Sequence, residues 1–345
     1  MNEFPTLQAE HLTGIVTGVN INGAEYPMSA MLGTSLDEET PTDAVSWDEI
    51  LPNRNLVKTF ESRGANATNT DYAGFRKKSA TLVGSFKKRQ VKPEKLLGLR
   101  AIGTGSADVA PLSQHVDMML GDMDRRYRLE PMEYLWLAAL QDNISITVDG
   151  QAMTPDYGLA SDHDLEVDTD WSDPAADIDA DVETCVRVVM QDSGETVTDA
   201  WCGRNVLGYL RKNDTVKSWL QNFVGADTRF DALVKGKTLS MFGLTWHSMD
   251  RGTHVSDVWT PYLNANKVIF TPAFSKRWLM RATGPVIYPT RVIGGGINDV
   301  GVGSGVVTYV LWTTDPVAMW VYHRWFALPV LTFPSAVCNL AVVGL

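Results

Sequence analysis

The chain has 345 residues, of which 44% are hydrophobic and 21% charged, a composition typical of a folded globular protein and not of a disordered one. Its formal net charge of −11 argues against tight general binding to nucleic acid, because proteins that wrap a polyanion present a basic surface. The three cysteines match no zinc-binding spacing, and no apolar run approaches the ~18 residues needed to cross a membrane.

The N-terminal segment, residues 1–54, shows no persistent hydrophobic period and includes an acidic connector at 35–43. Two interpretations remain open: a long arm that lies on another surface, or an ordinary N-terminal segment with a few edge strands. The first residues, MNEFPTLQAEHLTG, lack the basic start and apolar run of a signal peptide. We therefore expect the chain to fold in the cytosol with reduced cysteines.

A strongly basic segment follows the N-terminal region. Two predicted strands, 56–61 and 77–91, flank a turn-rich stretch at 62–74, and from residue 76 to residue 100 nine side chains are basic and one is acidic. A hairpin with so little apolar content cannot stabilise itself in water, so we predict that it contacts an acidic patch on an identical neighbouring subunit. A nucleic-acid-binding β-ribbon is the alternative. The candidate contact residues are Arg63, Arg76, Lys77, Lys78, Lys87, Lys88 and Arg89.

The clearest helical pattern lies between residues 113 and 142. Apolar residues recur at i, i+3, i+4, i+7 and i+11, on one face of a helix: Val116, Met119, Leu120, Met123 and Tyr127. Pro131 interrupts the run because proline clashes with the preceding turn, so the segment is either one kinked helix or two collinear helices. Such a stripe is typical of a buried core, and we predict no cofactor site in it.

The second half of the chain mixes strands and helices. We predict strands at 144–150 and 164–171, the second with carboxylates on alternate positions. Helices are predicted at 177–194, 203–212 and 216–223. From residue 239 onward strands and loops predominate, and the glycine-rich stretch 294–305 is interpreted as a flexible loop.

No constellation of residues predicts catalysis or a cofactor. Calcium-loop frames that start at Asp162 or Asp177 lack the glycine at the sixth position, although weak divalent binding by the acidic run stays open. The six histidines are scattered, and only His247 and His254 are close in sequence. No phosphate-binding loop or nucleophile elbow is present. We therefore predict no catalytic, cofactor-binding or metal-ligating residues.

Four local patterns and the order of elements resemble a known family. The patterns are SRGANAT (62–68), ITVDG…PDYGL…W (146–171), GLTWHSM…PYLNANKVIF (243–270) and the ending FALPVLTFPSAVCNLAVV. Together they resemble the major capsid proteins of tailed phages, specifically the lambda-like major capsid protein E family with the Hong Kong 97-type fold. The resemblance covers essentially the whole chain.

The resemblance implies an α+β fold with five parts. These would be an N-terminal arm at 1–54, an extended β-hairpin loop at 55–92, a peripheral domain at 93–189 with its spine helix at 113–142, an axial domain at 190–310, and a return to the peripheral domain at 311–345.

The resemblance also implies a structural subunit without enzymatic activity. It would assemble as hexamers and pentamers into the icosahedral head around double-stranded DNA, bound without sequence specificity. Scaffolding, portal and decoration proteins are possible partners, and because the chain starts at Met1 we expect a separate scaffold or none. The protein would reside in the virion, and in the host cytoplasm during assembly. The alternatives are a tail or baseplate protein, or a metal-dependent enzyme using the carboxylates from Asp162 to Asp181.

Overall fold

The computed structural model describes residues 13, 16, 26–32, 35–52, 74–91, 112–142, 144–148, 151–222, 239–255, 257–293, 296–314 and 317–344. The chain forms two compact units, each assembled from segments that are distant in sequence. Unit 1 comprises Met1–Val45, Ser79–Leu135 and Arg281–Pro329, and unit 2 comprises Ser46–Lys78, Trp136–Met280 and Val330–Leu345.

Helices and strands are both abundant, which confirms the predicted α+β class. The helices of the described ranges are α1 (Pro27–Leu32), α2 (Leu112–Asp124), α3 (Glu130–Leu140), α4 (Ile178–Ser193), α5 (Val206–Lys212) and α6 (Asp214–Asn222). A π-helical turn, Arg125–Leu129, joins α2 to α3, and 3₁₀ turns lie at Ser161–His163 and Pro334–Ala336. Within these ranges no helix is both long and apolar enough to cross a membrane.

The strands are numbered in chain order. They are β1 (Asp37–Glu39), β2 (Ala44–Ile50), β3 (Phe75–Thr81), β4 (Val83–Val91), β5 (Ile146–Val148), β6 (Gln151–Met153), β7 (Asp164–Glu166), β8 (Val197–Cys202), β9 (Leu239–Met241), β10 (Leu244–Ser248), β11 (Gly252–Val255), β12 (Val258–Pro261), β13 (Lys267–Pro272), β14 (Leu279–Thr283), β15 (Pro285–Ile293), β16 (Gly296–Ser304), β17 (Val306–Thr314), β18 (Val317–Leu331) and β19 (Cys338–Ala341).

Unit 1 is organised around the long strand β18. The five-stranded sheet has the order β1-β14-β18-β17, and β4 pairs with β18 along the edge opposite β17. The apolar stripe of α2 packs on one face of this sheet. The buried cluster there contains Val91, Val116, Met119, Leu120, Met123, Met319 and Val321, with Tyr127 packed against it. The predicted core stripe is thus confirmed.

The junction between α2 and α3 shows how the proline is accommodated. Pro131 has no N–H group, so the carbonyl four residues earlier, that of Tyr127, loses its ordinary helical partner. Tyr127 O accepts instead from Ser85 Oγ at 3.1 Å and from Trp325 Nε1. The helix therefore continues through a π-helical turn, because strands β4 and β18 satisfy the carbonyl that the proline leaves open.

Unit 2 contains a six-stranded mixed sheet with the order β7-β19-β13-β8-β10-β9. Helix α4 packs on it through Val182, Cys185 and Val189. The Asp177 side chain accepts from the Ala180 N–H at 3.3 Å at the start of α4, and Gly194 ends it in the left-handed region at φ 71°. The helix predicted at 177–194 is therefore confirmed.

One strand prediction and one loop prediction in the second half were wrong. The strand predicted at 164–171 ends at Glu166, because Trp171 turns into the core, where its Nε1 donates to Asp181 Oδ2 at 2.8 Å. The stretch 294–305, interpreted as a loop, includes β16, which pairs with β15 in antiparallel register.

Candidate assembly surface

The predicted basic arm 77–91 is not one strand. It is divided at Leu82, which is buried and donates its N–H to Asp43 O at 2.8 Å. β3 pairs with β2, whereas β4 pairs with β18, so the two halves belong to different sheets. The other predicted arm, 56–61, and Arg63 lie outside the described residues. The interpretation of 77–91 as one hairpin arm was therefore wrong.

Lys78 is the most enclosed of the candidate contact residues that the structure describes. Its Nζ lies 3.1 Å from Glu49 Oε2 and donates to Asp156 O at 3.0 Å, and 3.4 Å separates it from Asp156 Oδ1. The Lys78 and Glu49 side chains are only 10% and 5% exposed. The charge of Lys78 is thus compensated inside its own chain.

Replacing Lys78 by methionine should lower the free energy of unfolding by about 3 kcal/mol. The substitution keeps the apolar stem but leaves the Glu49 carboxylate buried without this cation, and breaking a buried pair from one side costs about 3–5 kcal/mol. Urea unfolding measures the loss. Lys77→Met, at the exposed neighbouring position, is the matched control and should cost less than about 0.5 kcal/mol. Equal losses would contradict a structural role for Lys78.

The basic residues of β4 alternate between the two faces of the sheet. Lys87 and Arg89 face α2 and the π-helical turn: Lys87 Nζ is 5.7 Å from the centre of the Tyr127 ring, and Arg89 Nη1 donates to Asp122 Oδ2 at 2.9 Å. This hydrogen bond from Arg89 lowers the pKa of Asp122. Lys88 lies on the opposite face, with its Nζ 4.7 Å from the centre of the Trp320 ring.

The side chains of four candidate residues remain exposed. Arg76 and Lys77 on β3, and Lys87 and Lys88 on β4, are accessible to solvent. Arg76 and Lys77 belong to unit 2, and Lys87 and Lys88 belong to unit 1. Each pair, called the basic surface of its unit below, can meet an acidic partner without disturbing the packing that Lys78 maintains. Unit 2 carries a corresponding acidic surface of exposed carboxylates: Asp168, Asp170, Asp177, Asp179 and Glu183.

A buried ionic cluster connects helix α2 and the π-helical turn to β18. Asp124 Oδ1 accepts from His323 Nε2 at 3.0 Å, and Asp124 Oδ2 accepts from Arg128 Nη2 at 2.6 Å. Burial acts to raise the pKa of Asp124, but the hydrogen bonds from His323 and Arg128 outweigh it, so the pKa lies below its ordinary value. The carboxylate is ionised at neutral pH and holds the helix on the sheet.

One group of residues has metal-ligand chemistry that the sequence did not reveal. The ligand atoms of Asp162, His163 and Asp192 all lie within 4.8 Å of one another. The His163 side chain is buried. Its Nδ1 lies 2.8 Å from Val337 O, and its Nε2 lies 3.1 Å from Asp192 Oδ2. Both ring nitrogens are therefore engaged by the protein, and the contacts tie the 3₁₀ turn to the end of α4. Sequence spacing gave no signal because Asp192 is 29 residues away from His163.

The two histidines that are close in sequence do not form a site together. His247 Nε2 lies 2.8 Å from Asp199 Oδ1, and its ring stacks on Trp201 with centroids 4.3 Å apart. His254 instead packs against Trp259 of the next strand. Each imidazole has a structural partner of its own.

Comparisons with known proteins relate the chain to a family and to a fold. A family model described as phage major capsid protein E matches residues 19–342. A comparison with curated protein sequences found no significant match.

Several solved structures have the same fold. A phage-related protein from Bordetella bronchiseptica RB50 has a TM-score of 0.55 at 13% identity, covering 98% of both chains. A prophage protein of E. coli CFT073 assigned as a capsid protein has a TM-score of 0.60 at 14% identity, covering 98% of this chain and 99% of that one. The mature capsid of bacteriophage PhiM1 has a TM-score of 0.50 at 9% identity, covering 90% and 86%.

Proposed function

The chain belongs to the phage major capsid protein E family, and from this membership we propose that it assembles as hexamers and pentamers into the icosahedral head around the double-stranded DNA of a tailed phage. Its role is that of a capsid-forming structural subunit and not that of an enzyme. The observation that carries the proposal is the family match, which spans nearly the whole chain and agrees with the Hong Kong 97-type fold. The family sets aside the tail-protein and metal-enzyme alternatives.

The assignment of structural parts along the chain is also part of this proposal. The parts are an arm at 1–54, an extended loop at 55–92, a peripheral domain at 93–189, an axial domain at 190–310 and a return segment at 311–345. The spine-helix assignment draws support from α2 and α3, which run through residues 112–140 with one π-helical turn between them. The net charge of −11 supports a head that encloses DNA without sequence-specific binding, because the negative charge of the protein limits its adhesion to the polyanion.

Scaffolding, portal and decoration proteins are further partners within the proposal, and assembly takes place in the host cytoplasm. The contacts between identical subunits join the basic surface of one copy to the acidic surface of another. Each exposed ion pair contributes at most about 1 kcal/mol, but closed symmetry repeats the contact around every ring. Arg63 belongs to this contact by its place in the basic segment.

Electron microscopy of the purified chain tests the function, and charge reversal tests the contact. The unmodified chain should form shells or capsomers, whereas a monodisperse small oligomer would contradict the capsid role. Replacing Arg76 and Lys77 by glutamate should reduce the yield of shells by about tenfold or more, since each lost pair is repeated at every subunit. Far-ultraviolet circular dichroism should be unchanged, because both side chains are exposed.

The matched control keeps the charges and changes the shapes, with Arg76→Lys and Lys77→Arg in one chain. It should assemble nearly as well as the parent. Shell formation by the glutamate variant at the parent's yield would rule out these two residues as contacts while leaving the capsid role intact.

A further inference from the structure

The hairpin β15–β16 carries three large apolar side chains on the face that points to solvent. Among the described strands, β15 and β16 pair only with each other. Ile287 and Val302 stand directly opposite in register and are 59% and 68% exposed, and Val300 nearby is 59% exposed. These three large β-branched residues form one exposed apolar patch, a kind of surface that often marks a contact site.

The inner face of the hairpin packs on its own unit. Val286 packs with Val307 and Tyr309 in a buried cluster against β17. A Cβ atom on Gly303 would lie 2.6 Å from Val307 Cγ2, so only glycine allows this approach. Glycine therefore faces inward and valine outward along β16, the reverse of the usual alternation of apolar-in and polar-out. The hairpin is held on its own unit while its apolar surface is left available.

A groove of about 470 Å³ adjoins the hairpin and combines aromatic and basic walls. Tyr322 stacks between Tyr309, with centroids 4.8 Å apart, and Phe86, with centroids 5.7 Å apart. The guanidinium carbon of Arg324 lies 3.9 Å from the centre of the Phe86 ring, and Arg324 Nη1 donates to Ile287 O at 2.7 Å. Lys88 of the basic surface also lines the groove, and among the described side chains no acidic residue does.

We propose that the outer face of the β15–β16 hairpin and this adjoining groove are a contact surface for a second copy of the chain, which supplies an extended segment with apolar and acidic side chains. The inference rests on the proposed capsid function. This contact would exist in addition to the one made by the basic surface. Its centre is apolar and its rim is cationic, and an apolar centre with a polar rim is typical of specific protein interfaces.

Charge complementarity identifies the occupant as another copy. The groove presents Lys88 and Arg324, whereas the chain as a whole has a net charge of −11 and an exposed acidic surface on unit 2. A cationic, aromatic-lined groove attracts an acidic segment and orients it before the apolar residues meet. In a shell of identical subunits, an acidic protein that lies beside every copy is the same polypeptide.

A cysteine at position 302 reports directly on whether the face is covered. The native thiols of Cys185, Cys202 and Cys338 are buried, and burial raises the pKa of Cys202 to about 12, so they give little background. In Val302→Cys, a small maleimide should label the free subunit rapidly. Assembly into shells should slow labelling at least about tenfold, and dissociation of the shells should restore it. Equal labelling rates in subunits and shells would overturn the inference.

A charge placed on the same face provides the second measurement. Val302→Glu should leave the urea-unfolding midpoint unchanged but reduce the yield of shells by about tenfold, since a carboxylate would be desolvated at each repeated contact. Val302→Thr, of similar shape, should lose far less. Met190→Glu places the same charge at another apolar side chain, 62% exposed on α4, and should assemble like the parent.

The outcomes separate this inference from the capsid role. If the unmodified chain forms neither shells nor capsomers, the proposed function itself fails. If shells form and Val302→Glu assembles at the parent's yield, the face is not a contact between copies and the inference is overturned. A decoration protein as the true occupant would give that second result, because none is present in the purified chain.

Discussion

Replacing Asp124 by asparagine is expected to lower the free energy of unfolding by about 3 kcal/mol or more. The side chain is 1% exposed and accepts hydrogen bonds from His323 and Arg128, so the amide would leave the Arg128 charge without its counter-ion in a buried site. Removing one partner of a buried ion pair typically costs about 3–5 kcal/mol. Urea unfolding of the isolated subunit at neutral pH measures the loss.

The same helix supplies the control. Asp122 also has two arginine partners, with Arg89 and Arg126 each at 2.9 Å, but its side chain is 37% exposed. Because solvent screens exposed pairs, Asp122→Asn should cost no more than about 1 kcal/mol. Similar losses for the two variants would show that burial of the Asp124 cluster does not determine its contribution.

The pH dependence of the Asp124 effect has a definite sign. The pKa of Asp124 lies below its ordinary value in the folded chain, so its ionised form stabilises the fold above the unfolded pKa of about 3.9. That contribution is lost as the pH falls through the folded pKa. The difference between the parent and Asp124→Asn should therefore be full near pH 7 and shrink below about pH 4. A difference that grows on acidification would contradict this assignment.

Substituting alanine for Gly84 should destabilise unit 1 by at least about 3 kcal/mol. A Cβ atom there would overlap the carbonyl oxygen of Trp325 and lie 2.7 Å from Phe326 Cδ1. The backbone cannot retreat without separating β4 from β18, whose pairing runs from Val83 to Val91. Overpacking against backbone is among the few single changes with effects of this size. Chemical denaturation and the yield of soluble protein are the measurements.

Gly121 is the matched position for the same substitution. It lies within α2, and a Cβ atom on it would meet no other group within 4 Å. Because glycine in a helix is about 0.5–1 kcal/mol less favourable than alanine, Gly121→Ala should stabilise the chain by roughly that amount. Opposite signs for the two variants are the expected result, and destabilisation by both to the same extent would contradict the close approach at Gly84.

Elements defined by short-range patterns were predictable from the sequence. The α2 stripe from Val116 to Tyr127 repeats with the helical period, and α4 has an acidic start and a terminal glycine. These signals lie within one or two turns of the chain and need no knowledge of distant partners. The family resemblance was likewise predicted from motifs spread along the whole sequence, and the family match confirms it.

Features that depend on distant partners were not predictable. The division of 77–91 follows from Leu82 being buried and from β4 finding its partner in β18, more than 200 residues later. β16 was read as a loop because glycine content outweighed the alternation of valine and glycine from Val300 to Gly303, which is a strand period.

The candidate site shows the same limit. Charge density selected a basic segment, but it could not separate Lys78, whose counter-charge is Glu49, from the exposed Arg76 and Lys77. That distinction depends on which strand each residue joins. The apolar outer face of β15–β16 was missed for a related reason, since its significance appears only when the inward-facing side is known.

The lysines on β4 disfavour the association of subunits into fibres. In the described part of the chain, β4 pairs with β18 alone, and Lys87 and Lys88 stand on this edge strand. A second β4 approaching that edge would bring like charges together, which deters open-ended stacking of one sheet onto the next. At high concentration, subunits therefore associate through side-chain contacts that can form closed shells. They do not associate through edge-to-edge strand pairing, which would form fibres of unlimited length.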